Sequence, residues 1–263
     1  MILLLKGVSR FLGWYVVKLY LPFYPFSRAV RDYARTLRIK LGLKKVSARD
    51  EEEIRVPKVI PSISWNEICN NQKVNIIQPY QVDGNVRLRE LAVLNALCSK
   101  LNPKNIFEIG TLNGRTALNL SINSHADVYT LDILPGMDRK YNEAMDFVGH
   151  YKVGEMFTSS PYKKMLGDHK ITQLLGDSAS FDYSPWNGKI DLFFIDGAHS
   201  RTYCENDTEV ALKLINRSGK SAIVWHDYGI WQDVTAVLNE KYSSGLPLVN
   251  VKHTSLVVYF LNS

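Results

Sequence analysis

The stretch Ile106-Phe-Glu-Ile-Gly-Thr-Leu-Asn-Gly114 joins a short apolar run to two glycines, and a segment with helical spacing follows it. The apolar residues of 105–109 predict a buried strand, and those of 115–123 predict a helix. A strand, a glycine turn and a helix N-terminus together form a binding site for a nucleotide-like ligand. Glycines let the backbone approach a ligand closely, and the first N–H groups of a helix lack partners. This stretch has neither the G-x-G-x-x-G pattern nor a Gly-Lys-Ser/Thr ending.

Strand and helix patterns alternate along the rest of the chain. Strands are predicted over 126–131, 171–175, 190–195 and 221–225, helices over 86–101, 207–216 and 231–242, and a terminal hairpin over 248–251 and 255–261. This alternation predicts a mainly parallel, right-handed α/β sheet to which the hairpin adds one antiparallel strand. The polar segment 136–170 offers only one helix, over 141–147, and its length predicts a lid or binding loop.

Acidic residues and glycines follow every predicted parallel strand. They are Glu108 with Gly110, Asp132, Gly176-Asp177-Ser178, Asp196, and His226-Asp227. A single acid at a strand end commonly caps a helix. Five together predict a polar rim where such sheets bind ligands, beyond the carboxyl ends of the strands.

Composition and charge favour a folded soluble protein over a disulfide-rich or nucleic-acid-binding one. A hydrophobic content of 46% and a charged content of 22% are ordinary for a folded soluble chain. The three cysteines, Cys69, Cys98 and Cys204, are odd in number and widely spaced, which argues against a disulfide framework and favours a reducing, cytoplasmic compartment. The excess positive charge lies in residues 1–49, which carry about +10, so the acidic remainder is not expected to bind nucleic acid.

The sequence divides into a basic amphipathic helical arm over 1–49, a linker with a short helix over 50–85, and a main domain over 86–263. In the arm, Arg28, Arg31, Arg35 and Arg38 recur on one helical face. That face predicts peripheral binding of 1–42 to the inner surface of a membrane. Packing on the core, homo-oligomerisation and RNA binding are the alternatives for these helices. No window reaches the ~20 apolar residues that span a bilayer.

Four ordered motifs within 86–263 resemble the class I S-adenosylmethionine (SAM) methyltransferases of methyltransferase family 24. They are Glu-x-Gly-x-x-x-Gly at 108–114, Leu-Leu-Gly-Asp-Ser-Ala at 174–179, Phe-Ile-Asp-Gly-Ala-His-Ser-Arg-Thr-Tyr at 194–203 with Asp207, and Ile-Val-Trp-His-Asp-Tyr at 223–228. The resemblance implies a Rossmann-like seven-stranded sheet, SAM as cofactor, and methyl transfer to a hydroxyl of a small molecule, sugar or lipid-linked glycan.

The resemblance also implies roles for individual residues. Cofactor binding is expected of Glu108, Gly110, Thr111 and Gly114 at the methionine end, Asp132 at the ribose, Gly176, Asp177 and Ser178 at the adenine, and Asp196 beside the sulfonium. Asp196, His199 and His226 are the expected catalytic residues. A histidine or carboxylate could act as base, or Asp196, Asp227 and His226 could hold a divalent cation such as Mg²⁺ that activates the hydroxyl.

Other function classes fit parts of the same pattern. A cephalosporin-hydroxylase-like enzyme would share the sheet and the acidic cluster. A non-catalytic SAM-binding protein attached to a membrane would use the basic arm, but all the strand-end acids are present. An RNA methyltransferase is disfavoured by the acidic balance of residues 50–263.

Overall fold

The computed structural model describes residues 56–70, 72–80, 84–141 and 152–262. The chain divides into one unit over 1–51 and another over 52–263, and all described residues belong to the second. The predicted arm helices, and most of the helix predicted over 141–147, therefore lie outside the described residues. Among those residues, no helix has the length and apolar character required to cross a membrane.

The described residues form an α/β sheet flanked by helices. The strands are β1 Ser62–Ile63, β2 Asn105–Ile109, β3 Asp127–Asp132, β4 Lys170–Leu175, β5 Leu192–Ile195, β6 Ser221–Trp225, β7 Leu248–Val251 and β8 Val257–Leu261. The helices are α1 Trp65–Cys69, α2 Leu88–Leu101, α3 Arg115–Ile122, α4 Glu155–Thr158, α5 Ser160–Leu166, α6 Arg201–Leu214 and α7 Gln232–Ser243, and Ser184–Trp186 forms a 3₁₀ turn.

The strand order is β1-β7-β8-β6-β5-β2-β3-β4, and β8 runs antiparallel to both of its neighbours, while the other pairings are parallel. The mainly parallel sheet and the terminal hairpin are confirmed. The described sheet contains one strand beyond the seven expected, because Ser62 and Ile63 pair with Asn250 and Val251 of β7. A two-residue strand leaves no periodic pattern in the sequence.

Alternate residues of the central strands bury their side chains on opposite faces of the sheet, as the two-residue period requires. Ile106, Leu192, Phe194, Ala222 and Val224 join the core cluster that contains residues of α2 and α3. Phe107, Phe193, Ile195, Ile223 and Trp225 join the cluster that contains residues of α6 and α7. Both faces of the sheet are therefore covered by helices.

The segment predicted as a lid contains two helices that the sequence analysis did not anticipate, α4 and α5. They have four and seven residues, which is too short for helical periodicity to be recognised. The N–H groups of Gly154 and Met156 donate to the carbonyls of Leu112 and Asn113. The described end of this segment thus packs on the glycine loop. Helix α6 begins at Arg201, six residues before its predicted start. The prediction missed its first turns because most of their residues are polar.

Asn119 on α3 and Asn123 directly after this helix hold the segment 75–79. Asn119 and Asn123 each exchange two hydrogen bonds with the backbone of Ile77 and Asn75. The buried guanidinium of Arg115 donates to the carbonyls of 78, 79 and 86. This part of the predicted linker is therefore fixed beside the glycine loop by polar contacts that leave no hydrophobic pattern.

Candidate functional site

The carboxyl ends of the four central parallel strands meet at one edge of the sheet. Ile109 pairs with Leu131 on one side and Ile195 on the other, and Ile195 pairs with Trp225. The next residue along each strand is Gly110, Asp132, Asp196 or His226. The register of the sheet thus brings together four of the residues that the sequence placed at strand ends.

Gly110 lets the ends of β2 and β5 approach each other. Its φ is +98°, and a Cβ at this position would lie 2.0 Å from the backbone oxygen of Asp196. Gly114, with a φ of +83°, begins α3 with the ring of Phe157 2.5 Å from the site of its missing Cβ. Both glycines were predicted for close approach to a cofactor, and both are also required by neighbouring protein atoms.

Glu108 heads a buried chain of hydrogen bonds beneath the glycine loop. Thr130 donates to Glu108 Oε2, the hydroxyls of Thr111 and Thr130 lie 2.7 Å apart, and the Gln173 amide donates to Thr111. Thr111, a predicted cofactor residue, therefore directs its hydroxyl toward β3. Burial raises the pKa of Glu108 well above its usual range. Glu108 Oε1 has no hydrogen-bond partner among the described residues, which leaves a buried polar atom for a ligand.

Asp132 is the last residue of β3 and lies beside the glycine loop. Its Oδ2 accepts from the Leu112 N–H at 2.7 Å, and its Oδ1 accepts from the Ile133 N–H at 2.8 Å. Burial raises the pKa of Asp132, and these backbone donors partly oppose that shift. Because each carboxylate oxygen can accept more than one hydrogen bond, the oriented group can still receive a ribose diol.

The predicted adenine residues follow β4. The N–H of Gly176 donates to the Asp132 carbonyl at 2.9 Å, so the ends of β3 and β4 stay in register. The buried Asp177 accepts from the backbone N–H groups of Lys140 at 2.8 Å and Ala179 at 3.3 Å. The Ser178 carbonyl accepts from the Tyr183 hydroxyl at 3.1 Å. Asp177 therefore fixes the loops on both sides of β4.

Two histidines and two aspartates converge where β5 and β6 end. His199 Nε2 lies 2.9 Å from Asp227 Oδ2, and His226 Nδ1 lies 2.9 Å from Asp196 Oδ1 and 3.3 Å from Asp227 Oδ1. The His199 ring stacks on Trp231 with centroids 4.7 Å apart and an interplanar angle of 9°. The structure thus brings together all four residues that were predicted for catalysis or metal binding.

Sequence reasoning missed a fifth member of this cluster, Glu90 on α2. Its Oε2 lies 3.2 Å from His226 Nε2, so both ring nitrogens of His226 face carboxylates. The sequence did contain a signal for Glu90. This acidic residue comes directly before the apolar Leu91 and four positions before Leu94, so it lies on the buried side of a predicted helix. An acid in that position must have a partner, but only the tertiary structure identifies it.

The pKa values of the residues in this cluster are shifted in different directions. Burial alone would lower the pKa of His226, but Asp196 and Asp227 outweigh burial and raise it well above the usual range. Burial alone would raise the pKa of Glu90, but its hydrogen bond to His226 and the charge of that ring lower it to about 2. Burial would likewise raise the pKa of Asp227, which the charge of His226 holds well below its usual range. The pKa of Asp196 is raised by burial. The carboxylates around His226 therefore favour its protonated form.

The donor set differs from the one predicted for a metal. Ligand atoms of Asp196, His199 and Asp227 lie within 4.8 Å of one another, and His226 is not in this group. Both oxygens of Asp227 already face histidine nitrogens, which leaves Asp196 Oδ2 as the one carboxylate oxygen of the pair without a histidine on it. A divalent cation would also meet the positive ring of His226. This arrangement does not fit a Mg²⁺ site, which requires several available oxygen ligands.

Comparison with known proteins gives a family match over part of the chain. Residues 107–228 match the model of methyltransferase family 24, described as a methyltransferase domain. This range contains the glycine loop, all the strand-end acids and the His199–Asp227 pair, whereas Glu90 lies before it. None of the curated proteins matches the chain.

Solved structures that are similar to this chain include several methyltransferases. The O-methyltransferase NovP is 10% identical, with a TM-score of 0.51 over 67% of this chain and 81% of its own. TomG from Streptomyces achromogenes, an O-methyltransferase involved in tomaymycin synthesis and solved with SAM, is 14% identical over 80% of this chain and 93% of its own, with a TM-score of 0.49. The SAH-bound Podospora anserina methyltransferase PaMTH1 is 17% identical over 68% of this chain and 80% of its own, with a TM-score of 0.48. The similarity to NovP confirms the Rossmann-like methyltransferase fold.

Proposed function

We infer from the methyltransferase domain at residues 107–228 that this chain is a SAM-dependent methyltransferase, and we propose that it methylates a hydroxyl oxygen with His199 as the general base. The observation that carries the base assignment is the contact between His199 Nε2 and Asp227 Oδ2 at 2.9 Å. An imidazole oriented by a carboxylate is a common arrangement for proton abstraction.

The residues around the glycine loop fit SAM. The unpartnered Oε1 of Glu108 is a buried oxygen that accepts from an N–H donor when Glu108 is ionised, and Asp132 presents an oriented carboxylate to a ribose diol. Bound SAM supplies a methyl group whose bond to sulfur breaks with the electron pair left on sulfur, while a new bond forms to the acceptor oxygen. The protein must hold that oxygen in line with the methyl group and remove its proton.

His199 is better placed than His226 to accept that proton. Its side chain is 20% exposed and that of His226 is 9% exposed, so His199 can meet an acceptor that enters from solvent. With the Nε2 proton donated to Asp227, Nδ1 is the ring atom that accepts the hydroxyl proton. The resulting imidazolium is stabilised by ionised Asp227. Stacking on Trp231 holds the plane of the ring.

We expect methyl transfer to proceed without a divalent cation. Of the two roles left open for the acidic cluster, the base role is favoured, because three of the four carboxylate oxygens of Asp196 and Asp227 already face histidines. Activity after dialysis against EDTA should equal that of the untreated enzyme. Loss of activity in EDTA and its recovery with Mg²⁺ would contradict this expectation and assign Asp196, His199 and Asp227 as metal ligands.

Asp132→Ala should weaken SAM binding by roughly 10- to 100-fold, because two ribose hydroxyls lose their acceptor at a cost of about 1–3 kcal/mol. Calorimetric titration with SAM measures the change, and the thermal midpoint of the variant shows whether the Leu112 contact to Asp132 is needed for folding. Asp138→Ala is the matched control, since Asp138 is exposed in the same loop. Equal SAM affinity of Asp132→Ala and the control would remove Asp132 from the cofactor site.

Product analysis separates this proposal from a hydroxylase-like reaction. Transfer of the labelled methyl group of SAM to the acceptor supports methylation, and oxygen incorporation without label transfer contradicts it. The acceptor class stays a prediction: a hydroxyl of a small molecule, sugar or lipid-linked glycan, with residues 1–42 bringing the enzyme to a membrane surface. The proposals of membrane attachment, homo-oligomerisation and a cytoplasmic location rest on the sequence alone.

A further inference from the structure

Glu90 is a buried carboxylate whose contacts reach three parts of the fold. Its side chain is 1% exposed. Oε1 accepts from both the backbone N–H and the hydroxyl of Ser255 at 2.9 Å, while Oε2 accepts from the Arg87 N–H at 2.7 Å and faces His226 Nε2 at 3.2 Å. An acid this buried is costly unless all of its hydrogen bonds are made, and here both oxygens are fully used.

The position of Glu90 determines the charge of His226. An imidazole nitrogen that faces a carboxylate donates a proton to it, and His226 faces Glu90 through Nε2 and Asp196 and Asp227 through Nδ1. These contacts can all be hydrogen bonds to ionised carboxylates only if both nitrogens carry protons, which makes the ring positive. Without Glu90, one nitrogen could lose its proton while the other kept its contact with Asp196.

The positive ring lies between two acids that would otherwise repel each other. Asp196 and Asp227 both approach His226 Nδ1, at 2.9 and 3.3 Å. In a metal-dependent site, a divalent cation neutralises such a pair and holds it together. Here a protein side chain supplies the positive charge, and it leaves Asp227 Oδ2 directed at His199.

We propose that Glu90 is a positioning residue that keeps His226 as an imidazolium, and that this fixed organic cation takes the place of a divalent metal between Asp196 and Asp227. The proposal rests on the proposed function, because it explains how the His199–Asp227 pair is kept ready for proton abstraction. It adds a residue outside the matched domain to the acceptor site.

Glu90→Gln tests the charge while keeping the shape of the side chain. The glutamine oxygen can still accept from Ser255, and its NH₂ group then faces His226 Nε2, which must become an acceptor, while the hydrogen bond from the Arg87 N–H is lost. Nitrogen NMR on labelled protein at about pH 8, above the range in which free imidazole is protonated, reports both ring nitrogens. We expect two protonated nitrogens on His226 in the native chain and one in Glu90→Gln. Glu155→Gln, at an exposed acid, should match the native chain.

A second measurement uses Mg²⁺ alone as the probe. About 10 mM Mg²⁺ should leave the thermal midpoint of the native chain unchanged, because a ligand stabilises a protein only by binding its folded state. His226→Asp removes the imidazolium and supplies a third carboxylate, so the same Mg²⁺ should raise the midpoint of that variant by several degrees.

The results separate this proposal from the proposed function. An unprotonated nitrogen on native His226, a Mg²⁺-dependent rise in the native midpoint, or a folded His226→Asp that ignores Mg²⁺ would each overturn it. If His226→Asp does not fold, the NMR comparison decides the question. Neither readout requires turnover, whereas a native chain that binds no SAM or transfers no methyl group would contradict the proposed function instead.

Discussion

Asp227→Asn is expected to reduce kcat by about 10²- to 10⁴-fold, the range of general-base catalysis and of triad variants with the wrong histidine tautomer. Asparagine has nearly the same shape and tolerates the φ of +66° at this position. Its amide oxygen would accept from His226, which turns the NH₂ group toward His199 Nε2. His199 must then carry its proton on Nδ1, the atom that should receive the proton of the acceptor.

The expected signature is a loss of turnover without a loss of cofactor affinity. SAM affinity should stay within about twofold, because Asp227 is not among the residues expected to contact SAM, and a twofold change is only about 0.4 kcal/mol. Label transfer from SAM to the acceptor measures the rate, and calorimetry measures SAM binding. Asp168→Asn makes the same chemical change at an exposed position and serves as the control. Undiminished turnover in Asp227→Asn would exclude the His199–Asp227 pair as the base.

Gly110→Ala is expected to lower the free energy of unfolding by more than about 4 kcal/mol, a loss reached when a substitution forces backbone atoms apart. The added Cβ would lie 2.0 Å from the carbonyl oxygen and 2.6 Å from the carbonyl carbon of Asp196. Backbone atoms of a central strand cannot swing aside as the end of a side chain can. The ends of β2 and β5 would have to separate, and the hydrogen bond from the Asp196 N–H to the Ile109 carbonyl would stretch.

Gly136→Ala separates this clash from the cost of the backbone conformation. Gly136 has a φ of +82° and no atom within 4 Å of the site of its missing Cβ. Its substitution should cost only about 1–2 kcal/mol, the penalty for an L-residue in the left-handed region. Urea unfolding of both variants gives the comparison. Equal losses at the two positions would mean that the close approach of the backbones at Gly110 is unimportant to the fold.

Most of the sheet could be predicted because its signals are local. Apolar runs such as 105–109 and 221–225 became strands with the predicted bounds, since burial on both faces demands continuous apolar residues. The elements that were missed give weak local signals. They are the two-residue strand β1, the short helices α4 and α5, and the polar first turns of α6.

The topology of the sheet predicted where each site residue lies, but it did not predict which atoms that residue contacts. Gly110 was interpreted as leaving room for a cofactor, yet its missing Cβ is also required by the backbone of Asp196. Thr111 was assigned to the cofactor and forms hydrogen bonds within the sheet. His226 was a candidate base and metal ligand, but both of its ring nitrogens face carboxylates.

The sequence by itself determined that a mainly parallel sheet gathers Glu108, Asp132, Asp196 and Asp227 at one edge, because parallel strands with short connections bring their carboxyl ends together. Only the tertiary structure decided what each group does there. Glu90 meets His226 across 136 positions of sequence and Ser255 across 165. No periodicity in the sequence encodes such contacts, because they depend on how α2, β6 and the β7–β8 turn pack. These contacts distinguish the imidazolium of His226 from the available base at His199.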